Sequence, residues 1–355
     1  MSGKRPAAEP GASFPSVTVV MPVRNEAGFI RRSVGAALAQ DYPGRLEVLV
    51  ADGMSRDKTR EILRSLATSH DNLRTIDNPG GIVATGLNAA LAAAAGEIIV
   101  RVDGHTEIAP DYVRQCVREL SRSQADNVGG KMTAAATGSV GRAIAAATSS
   151  PFGVGGARFH YSRLSEWVDT VYLGAWRREV FDRIGNFDEE LVRDQDDEFN
   201  YRLRKHGGRI LLSPAIRSVY FGRASLRSLW RQYFQYGYWK VRVLQKHPRQ
   251  MRPRQFAPPL LTASLLALAA AAPFSRLARR GLAALTGAYA AANLAASVHT
   301  ARGESRRTLP LLPPVFATLH LAYGSGFLWG LARFARRWKD DPAGPVRAAA
   351  AGNER

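Results

Sequence analysis

Hydrophobic and polar positions along the first two thirds of the chain switch repeatedly between a two-residue and a helical period. Residues 16–21 (SVTVVM) are a β-branched run that ends at Pro22, and a helical pattern follows over about 28–40. LEVLVA at 46–51 is the next strand, closing in DGMSRDKT, and Ile62, Leu63 and Leu66 share one face of the helix after it. LRTI at 73–76 is a short strand, DNPGG a turn, and IVATGLNAALAAAA a small-residue helix able to lie close to a sheet. GEIIVRVDGHTE, 96–107, is a fourth strand that stops abruptly in Asp103-Gly104-His105. Strands alternating with helices of this length predict a mostly parallel, doubly wound α/β sheet.

Beyond a helix at about 110–121, the loop SSPFGVGGARFHYS (149–162) has the glycines of a mobile lid or a plain connection. Residues 168–210 read as a strand, a Gly174-x-Trp176 turn, a short helix, an acidic loop and a helix containing Arg202. A helix over 225–247 follows, its aromatic stripe (Trp230, Tyr233, Phe234, Tyr236, Tyr238, Trp239) interleaved with basic residues. Packing and an amphipathic interface helix with its cations toward lipid headgroups both explain that stripe. Three apolar stretches close the chain, at 259–274, 281–298 and 309–331. With the first lying in the interface and the other two crossing as a hairpin, SRLARR and RFARRWK both stay on the cytoplasmic side.

At 355 residues the chain exceeds the usual limit of one core. The expected division is a tail at 1–15, a main domain at 16–222, a basic amphipathic helix at 223–254, membrane helices at 255–335 and a basic, Ala-rich tail at 336–355. One cysteine, Cys116, excludes an intrachain disulfide and a cysteine-rich zinc site, and residues 1–15 hold no apolar run of signal-peptide length. A cytoplasmic main domain is expected. Between Glu198 and Glu304 there is no acidic residue and there are eighteen Arg and Lys, which carries most of the net charge of +19. A basic block running into apolar segments fits a protein on anionic lipid, not on nucleic acid.

In doubly wound sheets ligands bind beyond the carboxyl ends of the strands. The strands end here in Arg24-Asn25-Glu26, Asp52-Gly53-Met54-Ser55 and Asp103-Gly104-His105. One such cluster is explained by helix capping; three on one edge point to a ligand. No G-x-G-x-x-G follows the first strand and no P-loop is present, which disfavours dinucleotide oxidoreductases and P-loop kinases. Asp194, Asp196, Asp197 and Glu198 crowd into five residues, where like charges raise some pKa values.

In that order, PVRNE, DGMS, VDGH, SPFGVGGARF and QDDEFNYRL resemble a family 2 glycosyltransferase of the GT-A fold, most similar to the succinoglycan-type bacterial subgroup. The resemblance spans residue 16 to about 247. It implies a Rossmann-like nucleotide-sugar-binding domain with a C-terminal helical membrane-associated region. Pro22, Asn25, Glu26 and Asp52 would contact the nucleotide, with Ala51 in place of the first Asp of the family's D-D-G-S. Asp103 and His105 stand where the family carries D-x-D and would hold a divalent metal, Mn2+ or Mg2+. Asp196 falls at the general base, with Asp197 beside it and Gln195 replacing the usual Glu. Gly174, Trp176 and Arg177 resemble an acceptor-side element. Gln235 and Trp239 match the Q-x-x-R-W of processive members, but Tyr238 takes the Arg position, which implies addition of a single sugar. The implied reaction is inverting transfer from a nucleotide-sugar, a UDP-hexose, to a lipid-linked (isoprenoid diphosphate) saccharide at the cytoplasmic face of the membrane, in exopolysaccharide or cell-surface polysaccharide synthesis. A sugar-nucleotide nucleotidyltransferase and a non-catalytic membrane glycan-binding protein are the rival readings.

Overall fold

The computed structural model describes residues 14–222, 224–302 and 306–339. The tails expected at 1–15 and 336–355 therefore fall mostly outside the described residues. The chain begins with β1 (Val17–Val23), α1 (Ile30–Leu38), β2 (Leu46–Asp52), α2 (Thr59–Ala67), β3 (Leu73–Asp77), α3 (Val83–Ala93) and β4 (Ile98–Arg101). β1 pairs in parallel with β2 and β4, and β2 with β3. Every residue of β1 is buried, as a central strand covered by helices on both faces requires.

The second half departs from the parallel expectation. β5 (Thr106–Ile108), α4 (Tyr112–Ser123), β6 (Asn127–Ala135), α5 (Gly138–Thr148), α6 (Pro151–Val154), β7 (Glu166–Trp167), β8 (Tyr172–Arg177), α7 (Glu179–Ile184), α8 (Gln195–Lys205) and β9 (Ile210–Phe221) follow. They complete a nine-stranded mixed sheet of order β3-β2-β1-β4-β8-β6-β9-β5, with β7 on β9. β8 runs antiparallel to β4 and β6, and β6 parallel to β9. One face of the sheet packs Ile30, Val34, Leu63 and Tyr112 from α1, α2 and α4. The other packs Leu87, Val180 and Phe199 from α3, α7 and α8.

α9 (Leu226–Lys246), α10 (Ala257–Ala271), α11 (Arg276–Ala301) and α12 (Leu312–Arg333) complete the described chain. Two helices, Arg276–Ala301 and Thr308–Arg333, are long and apolar enough to cross a membrane. They differ in surroundings: the apolar window of the first is 11% buried, that of the second 44%. α12 lies against α9 at a seam of glycines, because a Cβ on Gly326 would sit 2.0 Å from the Phe234 carbonyl oxygen and one on Gly237 2.0 Å from that of Tyr323. Leu260, Leu266, Phe274, Leu277, Leu294 and Val298 of α10, α11 and the turn between them are exposed.

The cations of α9 do not all face outward as expected of an interface helix. Arg242 is buried and holds Glu190 through Nε at 2.7 Å and Nη2 at 3.1 Å, Lys246 reaches Glu190 at 2.8 Å, and Lys240 pairs with Asp197. The reason is proximity: α9 passes beside the acidic loop before α8, and those carboxylates need counter-charges in a site screened from water.

Candidate active site

A cleft of about 2790 Å³ opens at the carboxyl ends of β1 and β4 and extends along α9 to α12. Of the residues singled out in the sequence, Pro22, Asn25, Glu26, Asp103, His105, Asp196, Asp197, Gln235 and Trp239 line it. Four others do not. Asp52 is fully buried at the end of β2, where Ser55 N–H donates to its Oδ2 at 3.1 Å and Arg60 lies 3.3 Å away. Its Oδ1 has no hydrogen-bond partner in the described structure.

Gly174, Trp176 and Arg177, expected on the acceptor side, lie outside the cleft lining. Strand alternation turns Trp176 into the core, where its ring meets Phe181, Phe187 and Phe199. Gly174, at φ 108°, lies under that indole, so close that a Cβ would be 2.4 Å from it. Arg177 donates to the carbonyls of Leu120 (2.9 Å) and Ala125 (3.3 Å), tying down the end of α4. All three hold the fold together.

The β1 end is built as a turn. Asn25 takes a left-handed φ of 56°, donates its N–H to Ser55 Oγ at 2.8 Å and accepts from Arg56 N–H at 2.8 Å, stitching β1 to the loop after β2. Glu26 then points across to β4: its Oε1 lies 2.9 Å from His105 Nδ1. A carboxylate on Nδ1 sets the tautomer and leaves the Nε2 lone pair available, the usual support of a metal-ligating imidazole. Asp103 and His105 therefore fit a divalent cation, with Glu26 acting through His105. Among the described residues no cluster of three acidic, His or Cys side chains could enclose a cation alone. The pair fits a partial shell, the rest supplied by phosphate oxygens and water, as hard cations commonly accept.

Asp103 is itself gripped by Arg101, the last residue of β4, through Nε at 2.9 Å and Nη2 at 3.3 Å. The third guanidinium nitrogen, Nη1, lies 3.7 Å from Asp196 Oδ2. Asp196 opens α8 and keeps 40% of its side-chain surface accessible, but that surface faces the cleft. Desolvation there raises its pKa, against the pull of Arg101 and with the push of Asp197 and Asp103. A carboxylate of raised pKa lining a cleft suits a general base. Asp197 is instead committed to structure, taken by Lys240 and by Gln250 Nε2 at 2.6 Å.

Two residues of the site, Arg101 and Lys240, were not picked out from the sequence, and a third, Asp194, was read only as one of the acidic cluster. Arg101 was readable in principle, since an Arg ending a buried β-branched strand needs a reason. Lys240 was hidden inside a helix rich in cations. Asp194 stands at the N-terminus of α8 with a left-handed φ of 62°, its Oδ2 buried and without a hydrogen-bond partner among the described residues. Burial drives its carboxyl up to about 8, opposed by Lys240 and reinforced by Asp197 and Asp196.

A mixed GT-A-like sheet with an acidic and imidazole-bearing cleft at its strand ends defines a nucleotide-sugar transferase architecture, and comparison with known proteins agrees. The family model "Glycosyl transferase family 2" matches residues 18–185. The chain is 32% identical over 332 residues to "Succinoglycan biosynthesis protein ExoA" of Rhizobium meliloti (strain 1021), covering 91% of this chain and 97% of that one. It is 25% identical over 239 residues to a dolichyl N-acetyl-alpha-D-glucosaminyl phosphate 3-beta-D-2,3-diacetamido-2,3-dideoxy-beta-D-glucuronosyltransferase of Methanococcus voltae, covering 65% of this chain and 74% of that one. Among solved structures, a mannosyltransferase from Pyrobaculum calidifontis in complex with GDP-Man and Mn2+ superposes with a TM-score of 0.55 at 24% identity, covering 92% of this chain and 91% of the other. The chain belongs to glycosyl transferase family 2 and is a glycosyltransferase.

Proposed function

We propose that the protein transfers a hexose from a nucleotide-sugar, UDP-linked, to a hydroxyl of an isoprenoid diphosphate-linked saccharide, with inversion, at the cytoplasmic face of the membrane. The observation that carries the reading is convergence: Glu26, Asp103, His105 and Asp196, from three separate segments, line one cleft that continues to α12. Asp196 takes the proton of the acceptor hydroxyl as its oxygen attacks the anomeric carbon, because an alcohol is a poor nucleophile at neutral pH. The bond to the diphosphate breaks on the opposite side, so an α-linked donor gives a β-linked product. Asp103 and His105 would hold a divalent cation, Mn2+ or Mg2+, which supplies Lewis acidity toward the departing diphosphate.

The acceptor class is supported by the relatives' names, one in succinoglycan biosynthesis and one acting on a dolichyl-linked sugar. Exposed apolar residues on α10 and α11 support membrane association. The sidedness rests on charge. Tyr289 meets His320 and Asn293 Nδ2 donates to the Pro313 carbonyl, so α11 and α12 run antiparallel and Arg279, Arg280, Arg333 and Arg336 gather at one end.

Membranes containing the full-length protein, given a panel of labelled nucleotide-sugars with and without Mn2+ and then extracted for lipid, test this. Label should enter the lipid fraction from one donor, depend on Mn2+, and disappear with Asp196→Asn. Label confined to free sugar would remove the lipid acceptor, and activity unaffected by chelation would remove the metal.

A further inference from the structure

The mechanism above leaves one buried cation unexplained. Arg101 has 6% of its side chain exposed, yet it lines the cleft and its Nη1 makes no hydrogen bond among the described residues. Its other edge is locked, because Nε and Nη2 are both held by Asp103. The backbone is locked as well, since Arg101 pairs with Val20 at the end of the β1–β4 ladder. Nη1 therefore cannot swing to meet Asp196 Oδ2, 3.7 Å away.

That gap is too long for a hydrogen bond and suits a single oxygen between the two groups, at about 2.8 Å from each. Donor and acceptor rules then select the oxygen. A guanidinium only donates and a carboxylate only accepts. The bridging group must accept from Arg101 and donate to Asp196 at once. An ionised phosphate oxygen cannot donate and an ammonium cannot accept; a hydroxyl does both.

We propose that Arg101 Nη1 and Asp196 Oδ2 form a two-point clamp for one sugar hydroxyl, which makes Arg101 a substrate-positioning residue. The proposal rests on the glycosyl-transfer reading above. Two hydroxyls have the required chemistry: the attacking hydroxyl of the acceptor, whose proton Asp196 removes, and a ring hydroxyl of the donor sugar. Held at the acceptor, the clamp leaves the oxygen a lone pair for attack while its proton points at the base.

Full-length protein in detergent provides the test, with Arg101→Lys and Arg101→Gln and the donor that wild type turns over in the panel. Lysine keeps the charge but cannot serve Asp103 and the hydroxyl together. Three readouts are taken: transfer to extracted lipid, hydrolysis of the donor by water alone, and calorimetric binding of UDP and GDP. Transfer should fall by about tenfold to a hundredfold, the worth of one hydrogen bond to a charged group, with Lys retaining more activity than Gln and nucleotide binding within about threefold.

If the clamped hydroxyl is the acceptor's, water-driven hydrolysis is spared while transfer falls. If it is the donor's, hydrolysis and transfer fall together, and one deoxy donor penalises wild type but adds no further loss in Arg101→Lys. The wild-type half of the deoxy series needs no variant to fold. Both variants transferring at wild-type rates would overturn the clamp, as would Arg101→Lys losing nucleotide binding in step with activity. A wild-type protein inert toward every donor would remove the glycosyl-transfer reading itself, which is a distinct result.

Discussion

Replacing Asp194 by Asn removes a proton equilibrium while keeping the side chain's shape and its tolerance of a left-handed backbone. The folded carboxyl is pushed to about 8, chiefly by burial, whereas an unfolded Asp titrates near ~3.9. Between those values the folded protein retains a proton that the unfolded chain has released. Stability must therefore fall as pH rises from about 4 to about 8 and level off above, the reverse of an ion-paired carboxylate. Each tenfold difference in proton affinity between the two states is worth ~1.4 kcal/mol, so a gap of about four pH units sets a ceiling on the order of 5 kcal/mol. Asp196 and Asp197 share the titration and Lys240 opposes it, so about 1–3 kcal/mol should be visible. Asn carries no charge to desolvate, and the variant should match wild type at about pH 4 and exceed it near pH 8. For a domain of this size that corresponds to a melting-temperature gain of about 2–6 °C. Melting curves of full-length protein in one detergent across that pH range measure it. Curves for variant and wild type that run parallel at every pH would refute the reasoning, and so would a variant less stable throughout.

Other perturbations address the remaining parts of the site. Asp196→Asn should lower transfer by about 10²- to 10⁴-fold, the usual worth of a general base, with UDP or GDP affinity unchanged by calorimetry. In wild type, kcat/KM should rise with pH through a value above the ordinary Asp range, because the base works ionised and its pKa is raised. His105→Ala should raise the Mn2+ concentration for half-maximal transfer, and Glu26→Gln should do so by about tenfold through the Nδ1 contact, both read from metal titrations. Arg242→Met should destabilise the protein by about 1–3 kcal/mol, less than a fully orphaned buried charge because Lys246 and Arg337 still contact Glu190. A denaturation midpoint equal to wild type would show that this network holds nothing together.

The first four strands and their polar ends were legible because a parallel, doubly covered strand writes itself as an unbroken apolar run, as in VTVVMPV. Their convergence followed from topology alone. The antiparallel half was harder. β8 reads YLGAWR, and nothing local says that its Trp faces an aromatic core instead of an acceptor. That orientation depends on Phe181, Phe187 and Phe199 arriving from later elements, which a motif resemblance cannot supply. Glu26 shows the same limit: its spacing in PVRNE suggested nucleotide contact, while its partner, His105, is 79 residues away in the chain.

Charge shows why composition alone misassigns a helix. A block without acidic residues reads as lipid-facing as long as each cation is counted as free. Lys240, Arg242 and Lys246 are committed to Asp197, Glu190 and Asp188, carboxylates that precede the block in sequence and lie beneath it in space. The acidic loop and the basic helix are two halves of one electrostatic unit, separated by β9. Glycine carries a comparable signal along that helix. Gly237 and Gly326 mark where α9 and α12 touch backbone to backbone, and small residues at such spacing denote a helix partner as readily as a lipid-facing surface. Since Gly237 and Lys240 stand three residues apart on α9 and are neighbours on its surface, whatever seats α12 also sets the position of the charge beside Asp196 and Asp197. The link from the apolar C-terminal helices to Asp196 is thus one helix long.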